Sequence, residues 1–329
     1  MMRNVYLDND ADLSILNGKT ISVIGFGNQG SAQAQNLRDS GLEVIIGNID
    51  DEYALRAKQM GFKVYSIREA TEKGDIIMML IPDEVQPDVY EHSIKDGLRP
   101  GKTLVFASGY NIHFGYIKPP NYVDVVMLAP RMIGSAVRSL YLKGSGAPAL
   151  IAINRDFTGT ALQTLLAIAK GIGSTRAGVI ESTFEEETII DLFSEQALAY
   201  GQLIKLAFEV LTEAGFDPVV VALELYASGE IVEISKAIVN HGLVNQLSLH
   251  SLTSQYGQLS RANIIFNEET KKKMKNILED IVSGNFAKEW YQEGKANYPT
   301  LKKLFEQAKK HPITEYENII RKKFKIYLL

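Results

Sequence analysis

The chain has 329 residues, 46% of them hydrophobic and 22% charged, with a formal net charge of −4. That apolar content supports roughly two ordinary globular domains and excludes a disordered or fibrous chain, while the mild acidity gives no electrostatic reason to expect nucleic acid. With no cysteine and only five histidines, disulfides, thiolate catalysis and Cys-held zinc or iron–sulfur centres are excluded, so a metal must rest mainly on oxygen, which favours Mg2+ or Mn2+.

The opening residues, MMRNVYLDNDADLS, hold no apolar run of the kind a secretory leader needs. No later stretch reaches the roughly 18 apolar residues of a spanning helix. The expected location is the cytoplasm, with no membrane partner. From residue 20 onward, short β-branched runs alternate with amphipathic segments. Residues 20–24, 43–46, 75–80, 103–106, 123–127 and 150–153 read as strands, and 31–39, 52–59, 85–91 and 159–169 as helices. Such alternation predicts an α/β domain with a doubly wound parallel sheet of the Rossmann type. After Gly173 helical periodicity dominates, and no strand of similar quality is expected. The boundaries are placed at 1–182 for a dinucleotide-binding domain and 183–329 for an all-helical one.

The first loop carries a mechanism. Gly25-Phe26-Gly27-Asn28-Gln29-Gly30 follows a strand and opens a helix. In G-x-G-x-x-G the first glycine makes the turn, the second lets the backbone approach a pyrophosphate, and the third packs helix against strand. After the second strand come Asn48, Asp50 and Asp51, where an acid accepts a ribose 2′-hydroxyl and an arginine would favour a 2′-phosphate. Two acids favour NADH over NADPH. Asp83 and Gln86, just past the strand at 75–80, should line the same crevice.

The stretch ESTFEEETIIDLFSEQ, residues 181–196, sets Glu187, Asp191 and Glu195 at helical spacing on one face. In isolation it reads as a solvated acidic first turn that complements the helix dipole. The apolar run that follows, to about residue 214, argues for a buried helix instead. Carboxylates at its mouth then require a partner or a metal. Among other polar residues, Glu185 and Glu186 read as solvated, and His113 and Trp290 as packing groups.

Together the strings GFGNQGSAQAQNLRDSG, LIPDEVQPDVY, SGYNIHFG, RAGVIESTFEEETIIDLFSEQ, SQYG and GNFAKEWYQE resemble the ketol-acid reductoisomerases, also called acetohydroxy acid isomeroreductases. The likeness spans nearly the whole chain, and the RAGVIESTFEEET-x-x-DLF-x-EQ string is its most specific part. It implies a Rossmann domain followed by a knotted helical domain that forms a dimer core. It also implies a Mg2+-dependent alkyl migration on a 2-acetolactate-type substrate, with NAD(P)H reduction to a 2,3-dihydroxy acid in valine and isoleucine synthesis. By the same resemblance Asp191 and Glu195 are metal ligands, Glu195 also reaching substrate. The partner subunit supplies two positions a helical turn apart, matched to Tyr226 and Glu230, and Ser251 binds substrate carboxylate from the partner. Arg131 stands where the family has a catalytic lysine, in a segment whose Gly134 is assigned to cofactor binding, and Ser108 where it has a histidine. Tyr226 leaves one Mg2+ site expected and the second weakened; Glu224 replaces it only if the helix register shifts. These departures leave open a 2-keto acid reductase without the isomerase step, or a cofactor-binding dimer without catalysis.

Overall fold

The computed structural model describes residues 3–324, which divide into two compact units between Asp191 and Leu192. The first is built on nine strands: β1 (Val5–Tyr6), β2 (Thr20–Ile24), β3 (Glu43–Gly47), β4 (Lys63–Tyr65), β5 (Ile76–Met79), β6 (Thr103–Phe106), β7 (Asp124–Pro130), β8 (Ala149–Arg155) and β9 (Val179–Glu181). Their order is β1-β9-β8-β7-β6-β5-β2-β3-β4. From β4 to β7 every pairing is parallel, and this is the strand order of a dinucleotide-binding sheet. The winding reverses between β2 and β5, which pair from Ile21–Ile76 to Ile24–Met79. Ligands bind at such a switch point, outside the carboxyl ends of the strands.

Alternate residues of each central strand enter opposite cores. Ile76 and Met78 join one apolar cluster with Val23, Val105 and Val126; Ile77 and Met79 join the other with Leu104, Phe106 and Met127. Burial on both faces explains why these strands read as unbroken apolar runs. The helices that cover them are α1 (Asn28–Asp39), α2 (Glu52–Gln59), α3 (Ile67–Lys73), α4 (Gln86–Val89, continued by a π turn Tyr90–Ile94), α5 (Tyr110–His113), α6 (Gly134–Leu142) and α7 (Ala161–Gly171). An α/β sheet unit followed by helices is thus as expected.

Three sequence expectations change. The sheet is mixed: β7 and β8 are antiparallel, as are β1 and β9. A strand does follow Gly173, since β9 pairs with both β8 and β1; three residues are too short for a periodicity signal, and the pairing is decided by distant partners. The run 184–214 is two helices, α8 (Phe184–Leu198) and α9 (Tyr200–Glu213), broken at Ala199 with φ 19° and ψ 51°.

The second unit continues with α10 (Pro218–Ala222), a π turn (Leu223–Ala227), α11 (Glu230–His241), α12 (Leu252–Ile265), α13 (Glu268–Val282), α14 (Asn285–Lys295), α15 (Pro299–Lys309) and α16 (Ile313–Lys323). Its buried cluster is small: Phe208, Val221, Ala222 and Ile320. The expectation that α9 is buried is overturned within the single chain, where Leu206 and Val210 are 57% and 59% exposed. One face of α9 meets its own unit through Phe208 and Leu211, while Tyr200, Leu203, Leu206 and Val210 are exposed. Trp290 is half-buried against Tyr298.

Gly30 tests the loop packing. A Cβ there would lie well inside van der Waals contact with the Gly25 carbonyl, so Gly30→Ala is expected to cost about 1–3 kcal/mol. Thermal unfolding should detect a midpoint lowered by several degrees.

Candidate active site

At the switch point two loops meet. Gly25 adopts φ 94°, and a Cβ there would strike the Leu80 carbonyl at 2.7 Å, so the turn after β2 closes directly onto the loop after β5. Nothing lies within 4 Å of the Cβ direction of Gly27, the residue that caps α1. The first turn of α1 therefore presents backbone N–H groups beside open space, a cradle suited to an anion. Phe26 contributes backbone only, its ring being buried edge-on against Phe62. Asn28 is exposed in that first turn, and Gln29 donates to the Met132 carbonyl at 2.8 Å. Gly134 packs against Asn28 and Gln29 so closely that no side chain fits.

Beyond β3 lies a cavity of about 520 Å3, lined by Asn48, Asp50, Lys58, Ser66 and Arg68 among others. The two acids singled out by sequence have different work. Asp51 caps α2, accepting from Tyr53 and Ala54 N–H at 2.9 and 3.0 Å and from Asn48 at 2.8 Å. Asp50 is exposed on the cavity wall. Arg68 is committed elsewhere, donating to the His92 carbonyl at 2.7 Å with Asp96 at 3.8 Å.

The carboxyl ends of β5, β6 and β7 carry the polar chemistry. Gly109, after β6, is pressed onto the Phe184 carbonyl of α8 so tightly that a Cβ would overlap it. Its N–H donates to Glu187 Oε2 at 2.7 Å. Glu187 is fully buried, and burial pushes its pKa up while Gly109 and Arg131 pull it back. Arg131, after β7, spreads its fork over two carboxylates: one nitrogen lies 3.2 Å from Glu187 Oε1, the other 3.2 Å from Asp191 Oδ1. The Asp191 side chain is 39% exposed, so it faces both the fork and open space. Glu195 lies one turn further along α8 and is exposed.

Asp83 completes this edge. Gln86 donates to its Oδ1 at 3.1 Å, and Asn111 donates to its backbone carbonyl at 2.9 Å and to Gln86 at 3.1 Å. The residue is only half-buried by surface, yet its carboxyl is enclosed by protein. Burial first, then the charges of Glu187 and Glu84, raise its pKa to about 7 against a hydrogen bond from Ser108 that lowers it.

In the second unit the positions matched to Tyr226 and Glu230 are not a turn apart on one helix, because Gly229 at φ 88° interrupts the chain between them. Tyr226 turns inward and donates to Glu317 at 2.6 Å. Glu224, on the π turn, and Glu230, at the start of α11, are both exposed. Ser251 caps α12, its hydroxyl accepting from Ser254 N–H at 3.3 Å. His250 lies against Gln246 at 2.9 Å, and His113 meets the edge of Phe114. Glu186, read as solvated, pairs with Arg3 at 2.9 Å and is partly covered.

Sequence reasoning passed over Gly109 and gave Glu187 no role of its own. Glu187 was visible only as the turn preceding Asp191; its burial depends on Arg131, 56 residues away. Among the described residues, no three His, Asp or Glu side chains form a metal-holding group within the chain, and no helix is long and apolar enough to cross a membrane.

Two family models match the chain. Residues 15–178 match the acetohydroxy acid isomeroreductase NADPH-binding domain, and 184–326 the ketol-acid reductoisomerase C-terminal domain. The chain is 47% identical over 326 residues to the ketol-acid reductoisomerase (NADP(+)) of Pyrobaculum aerophilum, covering 98% of each chain. It is 46% identical over 325 residues to that of Methanopyrus kandleri, again covering 98% of each. A solved NADH-preferring ketol-acid reductoisomerase from an uncultured archean superposes with a TM-score of 0.94 at 40% identity, over 98% of this chain and 99% of that one.

Asp83 makes a pH-dependent prediction. Its carboxyl is held protonated to about 7 in the folded state, against 3.8 ordinarily, so it costs stability progressively as pH rises through that window. Without added divalent cation, Asp83→Asn should therefore raise the unfolding midpoint more at pH 8 than at pH 5, as calorimetry would show.

Proposed function

The chain belongs to the ketol-acid reductoisomerase family, and from that premise we propose that it converts a 2-acetolactate-type acid into a 2,3-dihydroxy acid, using NADH and Mg2+, as a homodimer. One observation carries the reading. The cofactor loop after β2 and Arg131 after β7, which holds Glu187 and Asp191 of α8, stand at the carboxyl edge of one parallel sheet.

The residues fit both absent groups. The open approach at Gly27 and the α1 N-terminus suit a pyrophosphate. Asp191 and Glu195 offer carboxylate oxygens of the hardness that Mg2+ prefers, and they would hold it. Bound there, the ion would polarise the hydroxyl and carbonyl oxygens of the substrate. Arg131 fixes one oxygen of Asp191 and leaves the carboxylate oriented by a planar fork, where a lysine would act as a mobile point charge. Gly109 and Glu187 keep that fork in place. Ser108 offers a hydroxyl at the end of β6, and Ser251 keeps its own hydroxyl proton to donate while its oxygen caps α12.

For the cofactor, Asp50 on the cavity wall favours a ribose diol, and Arg68 is already tied to His92 and Asp96. The archaeal relative described as NADH-preferring agrees, whereas other relatives are named for NADP(+). For the assembly, the outward apolar side chains of α9 and α12, with Leu252 81% and Tyr256 71% exposed, suit a second copy of this chain. That copy would bring Glu224, Glu230 and Ser251 to the site. With Tyr226 turned inward and the π turn shifting the register, Glu224 takes the place first matched to Tyr226.

With Mg2+ present, NADH oxidation is expected with 2-acetolactate and with 3-hydroxy-3-methyl-2-ketobutyrate, at a lower KM than for NADPH. Oxidation with the second substrate alone would mean that only the reductase step survives, and a preference for NADPH would overturn the role of Asp50. Calorimetric Mg2+ titration separates the ligand assignments: Glu224→Gln should weaken binding at least about tenfold, while Tyr226→Phe stays near the parent. The reverse pattern would return the role to Tyr226.

A further inference from the structure

Gln29 and Gln33 lie one turn apart on α1, and their amides form a chain whose direction is fixed from one end. The Met132 carbonyl can only accept, so Gln29 turns its Nε2 to it at 2.8 Å and its Oε1 back along the helix. Gln33 must then present its own Nε2, which donates to Gln29 Oε1 at 3.0 Å. Gln33 is fully buried, and its Oε1 has no hydrogen-bond partner among the described residues. An unpaired buried amide oxygen is costly, so the worth of this amide lies in the one bond that it donates. Gln33 holds Gln29, and Gln29 holds Met132.

The segment they hold is short and fixed on either side of Met132. Arg131 N–H donates to the Pro148 carbonyl at 2.8 Å, and a Cβ on Gly134 would overlap the Asn28 carbonyl. The Arg131 side chain carries the fork on Glu187 and Asp191. One loop therefore links the first turn of α1, whose N–H groups stand beside the open approach at Gly27, to the carboxylate that would hold Mg2+.

We propose that the Gln29 side chain is a positioning residue that couples cofactor to metal, each of the two raising the affinity of the protein for the other. The inference rests on the reductoisomerase reading. A pyrophosphate on the α1 N–H groups fixes the first turn of that helix. Through its amide Gln29 passes the order to residues 131–134, and Arg131 then presents Asp191 already oriented. Such coupling is reciprocal and requires no displacement. Whichever group binds first loses the entropy of ordering the shared loop, and the second meets a loop already ordered. In this role the Gln29 amide acts through Met132 and Arg131.

The test uses the full chain and titrates Mg2+ by calorimetry without and with saturating ADP-ribose, which brings the pyrophosphate but no nicotinamide that could reach the metal. The parent should bind Mg2+ at least about fivefold more tightly in the presence of ADP-ribose, and Mg2+ should tighten ADP-ribose by the same factor. In Gln29→Met, which keeps the reach of the side chain and removes both of its hydrogen bonds, the factor should fall close to one. Gln33→Met, which leaves Gln29 without its anchor, should also lower it. A direct attraction between the anion and the cation would survive both substitutions. So would a uniform loss of affinity, because the readout is a ratio. Circular dichroism checks that each variant is folded, and one measurement needs no variant at all: ADP-ribose without metal should slow hydrogen exchange across residues 131–134 of the parent. A parent factor of one, an unchanged factor in either folded variant, or no added protection of that segment overturns the coupling alone. A parent that fails to bind ADP-ribose or Mg2+ overturns the reductoisomerase reading, and the coupling with it.

Discussion

A carboxylate taken fully out of water must find its compensation inside the protein, and Glu187 finds it on two loops at once. One oxygen takes the Gly109 N–H after β6, the other the Arg131 guanidinium after β7. This single buried group joins the first turns of α8 to the carboxyl edge of the sheet. Arg131 then has its second nitrogen left for Asp191, so the orientation of the candidate metal carboxylate is inherited from the buried one. The contact also demands a glycine at 109, because α8 sits too close for any side chain.

The same edge shows how one environment separates neighbouring acids. Glu187 is buried yet supported by a peptide N–H and a guanidinium. Asp191 is partly open to solvent and shares the guanidinium. Asp83 is enclosed with two amides, a serine and three other acids, and it is the one whose pKa rises to about 7. Environments that push acids apart in this way divide roles among chemically identical groups.

The second unit makes a different physical point. Its helices are rich in apolar residues, but a single copy buries few of them, and large side chains on α9 and α12 remain outside. Composition alone equates such helices with an interior. What decides is which surfaces meet, and among the described residues of this unit Leu206, Val210, Leu252 and Tyr256 stay exposed.

Much of the first unit was legible from local signals. A two-sided buried sheet writes itself as apolar runs such as Ile76–Met79, and the glycine spacing after β2 marks a close turn whatever lies around it. The spacing of Asp191 and Glu195 along one helix face was equally local. What the sequence by itself determined was therefore the parallel core of the sheet, the cofactor loop and the family. Tertiary structure decided the rest, because burial, left-handed breaks and charge pairing are properties of groups far apart in the chain. Glu187 needed Arg131 and Gly109, β9 needed β1 and β8, and the interruption between Tyr226 and Glu230 depended on Gly229 adopting a backbone conformation that no spacing announces.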